Sequence, residues 1–320
     1  MDAQNVTPMM QQYLSAKQAH PNELLFFRLG DFYEMFFDDA KVAAKELGLT
    51  LTSRSGDLDK SPMCGVPYHA ADSYIARLVA KGFKVAIAEQ IGDPKAKGLT
   101  HREVVKVVTP GTALSDEVLR DASNIYITLL HETNDGTFFL AGADISTGEA
   151  FYASYAGETA AQQILDELYR RMTAELLMTE GFSLADTVRA FLTQRLPHCA
   201  VSTAETVAKD ELLAQHFPAA EIPTDAGARA AVATLLGYLH DTVMADLSQI
   251  NRLSFLDTRE TMQLDTYTLR NLEITRSLRD GGKKNTLFDV LDFTRTPMGT
   301  RLLKSWLEHP LLTPHRIDAR

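Results

Sequence analysis

The order of apolar and polar positions in the first 112 residues predicts a mixture of helices and strands. Thr7 followed by Pro8 is typical of a helix start, because the threonine side chain can cap free amide groups and proline fits the first turn. The apolar run at 23–29 has the length of a buried strand. By the same criteria we predict another helix at 69–80 and two more strands, at 83–88 and at 104–108.

The segment after the first predicted strand carries residues typical of turns and helix starts. Gly30 and Asp31 interrupt the apolar run, and Asp31 with Glu34 three residues later matches the capping-box pattern. We therefore predict that a helix begins here, with Phe36 on its buried stripe. Residues 54–67, which contain Gly, Pro, Asp and Ser, are predicted to form a loop.

The pattern of residues 113–245 is that of an α/β domain. Asn134, Asp135 and Gly136 form a strong hairpin signal. Three strands, a helix and a fourth strand are predicted in that order, at 124–131, 137–145, 148–153, 159–171 and 175–179. This order is similar to that of ribonuclease H-like folds.

From about residue 228 the strand pattern disappears and helical spacing dominates. Helices are predicted at 232–239, at 262–277 and from Thr296 to about 307. The chain is therefore predicted to be a multi-domain α/β protein in three parts. These parts are a mixed α/β domain, a ribonuclease H-like α/β domain and the first part of an all-α domain, at 1–112, 113–245 and 246–320.

Composition narrows the class of protein. Hydrophobic residues make up 45% of the chain and charged residues 23%, which excludes a largely disordered or fibrous protein. No run of apolar residues is long enough for a membrane-spanning helix, and the first residues do not resemble a secretory signal. Because Cys64 and Cys199 are too few for a disulfide framework, we expect a cytoplasmic protein.

The net charge of −10 is unevenly distributed. Basic and acidic residues number 13 and 13 in residues 1–112, 7 and 19 in residues 113–245, and 12 and 10 in residues 246–320. An acidic surface repels the phosphate backbone of nucleic acids. If the protein binds DNA, the first and last parts are therefore the candidates, and the middle part is expected to contact protein.

Motifs for nucleotide and metal chemistry are absent from the sequence. Gly281, Gly282 and Lys283 lack the spacing of a phosphate-binding loop and are predicted to form an exposed turn. Cys199 has no second cysteine or histidine at a zinc-ligand spacing beyond its neighbour His198. Both cysteines are interpreted as buried or incidental thiols.

Asp144 leaves a nuclease function open. Ribonuclease H-type nucleases carry a catalytic aspartate on their first strand, and their two-metal chemistry needs several converging carboxylates. Asp144 and Glu149 are present, but the later strand at 175–179 offers no obvious third carboxylate. A structural aspartate is the favoured interpretation, and a metal-dependent nuclease that uses Asp144 is the alternative.

The densest motif surrounds Phe32. Five of the 15 phenylalanines lie between positions 26 and 37. In one interpretation, Phe32 and Phe36 both face the core. In the other, the Phe32 ring inserts between bases and kinks the duplex, while the nearby Glu34 carboxylate hydrogen-bonds an exposed base edge.

Several sequence blocks resemble the bacterial MutS family of DNA mismatch repair proteins. Phe32, Tyr33 and Glu34 within FRLGDFYEMF are similar to the family's Phe-x-Glu mismatch-reading motif. Five further blocks agree in order: MCGVPYHAADSYIARLVAKG at 63–82, VAIAEQIGDP at 85–94, VTPGT at 108–112, RNLEIT at 270–275 and GGKKNTLFDVLDFTRTPMGTRLLKSWLEHPL at 281–311. The resemblance extends over essentially the whole chain.

The resemblance implies a role for each part of the chain. Residues 1–112 would be the mismatch-binding domain, residues 113–245 a ribonuclease H-like connector without nuclease activity, and residues 246–320 the start of a helical core and lever domain. Phe32 would stack on the mispaired base and Glu34 would hydrogen-bond it.

Four further residues are candidates for DNA contact. Tyr33 belongs to the recognition motif, and Arg54, Tyr68 and His69 are candidates for positioning the DNA backbone. From the sequence alone, Arg54 could equally be an ordinary exposed arginine, and His69 could instead cap the following helix.

The resemblance also implies partners and cofactors. The family binds mismatched double-stranded DNA, contacts MutL through the connector and forms homodimers at full length. Its clamp and C-terminal ATPase domains are not in this sequence, so we expect no ATP hydrolysis and no cofactor here, with ATP and Mg²⁺ bound by the ATPase domain of the longer protein. A bacterial cytoplasmic location, at the nucleoid when on DNA, follows. A MutS-like protein that clamps branched DNA without reading mismatches remains a further alternative.

Overall fold

The computed structural model describes residues 7–53, 61–92, 100–113, 124–207, 210–244, 246–257 and 260–320. These residues divide into two compact units. One unit contains the described residues up to Ala113 together with 239–244, and the other contains the rest. The mixed α/β class predicted from the sequence is confirmed, while the three domain boundaries and the ribonuclease H-like and all-α assignments stay predictions.

The first unit is built on a six-stranded sheet in the order β3-β4-β2-β1-β5-β6. Its strands are β1 (Leu24–Leu29), β2 (Phe32–Phe36), β3 (Thr52–Ser53), β4 (Pro62–Pro67), β5 (Val85–Ile91) and β6 (His101–Val108). Its helices are α1 (Pro8–Ala19), α2 (Phe37–Leu47) and α3 (Ala71–Val79), and a short 3-10 helix at Tyr68–Ala70 precedes α3. As predicted, Thr7 caps α1, its hydroxyl accepting from the Met10 amide at 3.4 Å.

Alternation along the central strands gives this sheet two buried faces. Phe26 of β1 and Met35 of β2 pack with α2 and α3 on one face. Phe27 and Phe36 pack around Tyr13 of α1 on the other face. Because successive strand residues point to opposite faces, the continuous apolar run of β1 fills both cores.

Two predictions for the first unit are wrong. Asp31 and Glu34 do not form a capping box, because residues 32–36 are strand β2 and helix α2 begins at Phe37, with Phe36 at the N-cap position. The predicted loop at 54–67 contains strand β4, which pairs with β2 and β3; residues 54–60 lie outside the described residues. Long-range pairing outweighs local turn propensity in both cases.

The second unit contains another six-stranded sheet, in the order β11-β10-β7-β8-β9-β12. Its strands are β7 (Ile127–Glu132), β8 (Phe138–Asp144), β9 (Glu149–Tyr155), β10 (Glu175–Thr179), β11 (Ala200–Ala204) and β12 (Arg252–Phe255). Strands β7, β8 and β9 are antiparallel neighbours. Strand β10 pairs in parallel with β7 and β11, and β12 pairs in parallel with β9. The hairpin predicted at Asn134–Gly136 is confirmed, with Gly136 at a φ of 80°.

Helices separate and follow these strands. They are α4 (Ala160–Arg170), α5 (Ala185–Arg195), α6 (Asp210–His216), α7 (Ala226–Val243), α8 (Thr266–Asn271), α9 (Leu287–Leu291), α10 (Pro297–Glu308) and α11 (Pro314–Asp318). Thr296 caps α10 as the sequence predicts, because its hydroxyl accepts from the Gly299 amide at 3.1 Å. Among the described residues, no helix combines the length and apolarity that crossing a membrane requires.

The prediction that strands end near residue 228 is also wrong. Strand β12 pairs with β9 at the edge of the second sheet. It has four residues, of which only Leu253 is buried, so it lacks the alternation that marks a strand in sequence. The helix predicted over 262–277 is limited to α8.

Candidate nucleic-acid interface

The Phe32 ring is held at the end of a tight hairpin. Strands β1 and β2 are antiparallel, and the last pair in their register is Leu29 with Phe32. Gly30 makes the reversal with a φ of 62°, in the left-handed region that favours glycine. Phe32 is 46% exposed, whereas Phe26, Phe27 and Phe36 nearby in the sequence are buried.

The face on which Phe32 lies follows from the alternation of side chains along strand β2. Phe32, Glu34 and Phe36 point to one face of β2. Phe36 is 1% exposed and packs edge-on against Tyr13, with ring centroids 4.9 Å apart. Phe32 lies on the same face as the core covered by α1, but beyond its end, at the hairpin tip. Its side chain therefore stays half-exposed and can contact another molecule.

Glu34 lies between the exposed tip and the buried part of the same face. It is half-buried and pairs across the sheet with Phe27 on β1 and Gly65 on β4. A Cβ at Gly65 would lie 3.2 Å from the Tyr33 carbonyl oxygen and 3.5 Å from Cγ of Glu34. A side chain at position 65 would therefore crowd the Tyr33 carbonyl, whereas its contact with Glu34 would be an ordinary van der Waals contact.

Tyr33 differs from its neighbours because it points to the opposite face. It is 7% exposed, belongs to the core under α2 and α3, and donates a hydrogen bond from its hydroxyl to Glu89. Burial raises the pKa of Tyr33 to about 12, and the bond to Glu89 adds to this rise. The Tyr33 ring therefore lies on the face opposite Phe32 and Glu34, and its contact with DNA stays a prediction.

Tyr68 is brought next to the hairpin by a backbone hydrogen bond. Phe32 pairs with Pro67 at the end of β4, and the Tyr68 amide donates to the Asp31 carbonyl at 2.9 Å. The Tyr68 side chain is 47% exposed, and its ring stands edge-on to that of His69 at 5.9 Å. The structure therefore brings Phe32, Tyr68 and His69 to one end of the sheet.

His69 does not cap helix α3. The N-cap residue of α3 is Ala70, and no side chain accepts a hydrogen bond at that position. The alternative that His69 caps α3 is therefore wrong, and the contact of His69 with phosphate stays a prediction. Arg54 lies outside the described residues.

Arg28 completes this end of the sheet, although the sequence analysis did not single it out. Its guanidinium carbon lies 3.9 Å from the Tyr68 ring centroid and 5.4 Å from that of Tyr33. Its Nε donates to the Gly30 carbonyl, and its Nη1 lies 3.7 Å from a Glu89 carboxylate oxygen. The available signal was an arginine two residues before a turn glycine, which is too common to identify a site.

Asp144 is engaged in hydrogen bonds within its own turn. It is fully buried, and one carboxylate oxygen accepts from the amide and the hydroxyl of Ser146 at 2.8 and 2.7 Å. Its other oxygen accepts from Asn124 at 2.9 Å. Over the described residues, no cluster of three or more histidine, cysteine, aspartate or glutamate side chains could hold a metal ion. The geometry supports the structural interpretation of Asp144.

Comparisons with known proteins agree with the sequence blocks. The family model for MutS domain I matches residues 7–117, and the model for MutS domain III matches residues 267–320. The relatives from Desulforamulus reducens, Pelotomaculum thermopropionicum and Brevibacillus brevis, each named DNA mismatch repair protein MutS, are 45%, 43% and 43% identical over 98% of this chain. The chain belongs to the MutS family.

The matched region is a limited part of those relatives. It spans 37%, 37% and 35% of their lengths, respectively. The Phe32 hairpin, Tyr68 and His69 all lie within the segment matched by MutS domain I.

Proposed function

We propose that this chain recognises mispaired bases in double-stranded DNA and that Phe32 is the wedge that enters the base stack. The observation that carries the proposal is the half-exposed Phe32 ring at a hairpin tip, inside the segment matched by MutS domain I. Proteins that kink DNA commonly insert an apolar side chain between base steps. A rigid turn with the ring at its end suits that role.

Discrimination would come from the cost of deforming the duplex. A mispair stacks poorly, so opening and bending that step costs less than deforming a paired step. Stacking of a base on an aromatic ring contributes about 1–3 kcal/mol. The protein can therefore prefer mispairs without reading a particular sequence.

Glu34 is proposed to hydrogen-bond the displaced base. It lies two residues from Phe32 on the same face of β2, so both side chains can approach one nucleotide. A carboxylate is repelled by the phosphate backbone. Its contribution is therefore proposed to be orientation of the base, with Phe32 supplying the stacking.

The surrounding residues are proposed to position the DNA backbone and the hairpin. Tyr68 and His69 are exposed beside the tip, where they can contact sugar and phosphate. Arg54 is proposed to contact phosphate as well. Tyr33 supports the hairpin from the core.

The remaining functions belong to a longer MutS protein. We propose that such a protein contacts MutL through residues 113–245, forms a homodimer, and acts in the bacterial cytoplasm and at the nucleoid. ATP and Mg²⁺ would be bound by a separate ATPase domain, and this chain alone would not hydrolyse ATP. Residues 113–245 would form a ribonuclease H-like connector without nuclease activity.

The test is fluorescence anisotropy with matched and G·T-mismatched duplexes at low salt. Phe32→Ala is compared with Phe293→Ala, which truncates a phenylalanine that is 87% exposed in the other unit. Both variants are made in this chain and in a full-length MutS protein that contains it.

We expect Phe32→Ala to abolish the preference for the mismatch and Phe293→Ala to retain it. Mismatch preference that survives Phe32→Ala would show that recognition lies elsewhere. Equal affinity of the unmodified full-length protein for both duplexes would instead favour a clamp on branched DNA.

A further inference from the structure

A cleft in the second unit is lined by four arginines. It lies among helices α4, α5 and α8 and the segment at 275–281, and its volume is about 270 Å³. The arginines come from separate parts of the chain: Arg170, Arg195, Arg270 and Arg276. Glu308 is the one acidic residue in the lining. The wall of the cleft is therefore strongly positive.

Arg170 carries a buried donor that no group among the described residues accepts. It is 6% exposed, its Nη1 donates to Glu167 at 2.6 Å, and its Nη2 donates to the Leu264 carbonyl at 3.0 Å. Its Nε is buried without a hydrogen-bond partner in the described part of the chain. Glu167 also binds Arg171 at 2.7 Å, so its carboxylate is shared between two guanidinium groups.

Within the described part of the chain, the other three arginines form no ion pairs. The Arg195 guanidinium lies 5.1 Å from the Tyr267 ring centroid, which holds it without removing its charge. Arg270 and Arg276 are exposed, and neither side chain forms an ion pair within the residues that the structure describes. Buried polar groups are normally hydrogen-bonded, and positive charges that line one cleft favour an anionic partner.

We propose that this cleft binds a small phosphate-bearing anion. Guanidinium groups bind phosphate oxygens through paired, charge-assisted hydrogen bonds, so Arg195, Arg270 and Arg276 together match a ligand with two or more negative charges. The volume lies just below the range typical of sites for drug-sized ligands, which suits a phosphate or pyrophosphate group.

Glu308 does not prevent this binding. Lys304 lies 3.9 Å from its carboxylate and offsets part of its charge. Burial raises the pKa of Glu308 above its ordinary value. Phosphate could arrive free or as the terminal groups of a nucleotide, because both present the same oxygens to the arginines.

The test is isothermal titration calorimetry on the 320-residue chain with sodium phosphate, sodium pyrophosphate and ADP at constant ionic strength. Arg270→Gln and Arg276→Gln each remove one charge from the cleft. Arg279→Gln is the matched control, because Arg279 is exposed in the same segment and does not line the cleft. Melting temperatures confirm that all three variants fold.

We expect pyrophosphate to bind, with affinity reduced about tenfold or more by Arg270→Gln and Arg276→Gln and less than twofold by Arg279→Gln. Tighter binding of ADP than of pyrophosphate identifies a nucleotide as the source, and equal or weaker binding identifies free phosphate. No pyrophosphate binding at millimolar concentration, or an equal loss in Arg279→Gln, would overturn the proposal. Phe32→Ala leaves this binding unchanged, so the result does not depend on mismatch recognition.

Discussion

At the scale of single residues, a buried carboxylate in the second unit pairs with two buried arginines. Glu167 is 3% exposed and holds Arg170 at 2.6 Å and Arg171 at 2.7 Å. Burial alone would raise the pKa of Glu167, but Arg171, His309 and Arg170 outweigh it and hold that pKa well below the ordinary value. Loss of this charge would leave two buried guanidinium groups without their common partner.

We therefore predict that Glu167→Gln destabilises the chain by about 3–5 kcal/mol, the usual cost of breaking a buried ion pair. Urea unfolding measures the change. Glu158→Gln makes the same substitution at an exposed glutamate and should change stability by less than about 0.5 kcal/mol. An equal effect of the two substitutions would contradict the assignment of the stabilising role to the buried pair.

The same carboxylate predicts a pH dependence. Because its pKa is lower in the folded state, its stabilisation is fully present above the unfolded-state pKa, near 4.5, and is lost as pH falls below it. The difference in stability between the unmodified chain and Glu167→Gln should therefore shrink progressively as the pH is lowered below 4.5. Urea unfolding as a function of pH tests this, and a difference that grows on acidification would have the wrong sign.

At the scale of secondary-structure elements, the β1–β2 hairpin connects sequence to the candidate site. Gly30 has a φ of 62° and open space where a Cβ would be, so an alanine there meets only backbone strain. Gly136 in the β7–β8 hairpin has a φ of 80° and the same open space. The two glycines therefore form a matched pair in two hairpins, of which only one carries the proposed wedge.

We predict that Gly30→Ala and Gly136→Ala each cost about 1–2 kcal/mol of stability, the penalty for a left-handed residue with a side chain. Only Gly30→Ala should also lower mismatch preference, because it shifts the turn that presents Phe32. Thermal unfolding and anisotropy measure the two effects. A loss of mismatch preference in Gly136→Ala equal to that in Gly30→Ala would remove the link between the turn and recognition.

The sequence of this hairpin predicted which residues share a face but not whether they form a helix or a strand. Phe32 and Phe36 are four residues apart, a spacing that places both on one face of either a helix or a strand. Their spacing could not decide between the two, and the Asp31–Glu34 pattern favoured the wrong one. The deciding contacts are the pairs of β2 with β1 and β4, which depend on residues distant in the sequence.

At the scale of the whole molecule, some elements could be predicted from sequence patterns and others could not. Apolar runs and turn residues correctly located β1, β10 and the hairpin at Asn134–Gly136. They missed β12, because its four residues gain strand structure only by pairing with β9. Family membership came from ordered sequence blocks, which made Phe32 a candidate but could not reveal Arg28 packed against Tyr68.

Stacking at Phe32 is tested by comparing Phe32→Tyr with Phe32→Leu in the anisotropy assay with matched and G·T duplexes. Tyrosine preserves an aromatic face, whereas leucine preserves apolar character without one. If Phe32 stacks on the mispaired base, Phe32→Tyr keeps mismatch preference within about threefold and Phe32→Leu lowers it about tenfold, equivalent to ~1.4 kcal/mol. Equal mismatch preference in Phe32→Leu and the unmodified protein would contradict stacking at Phe32.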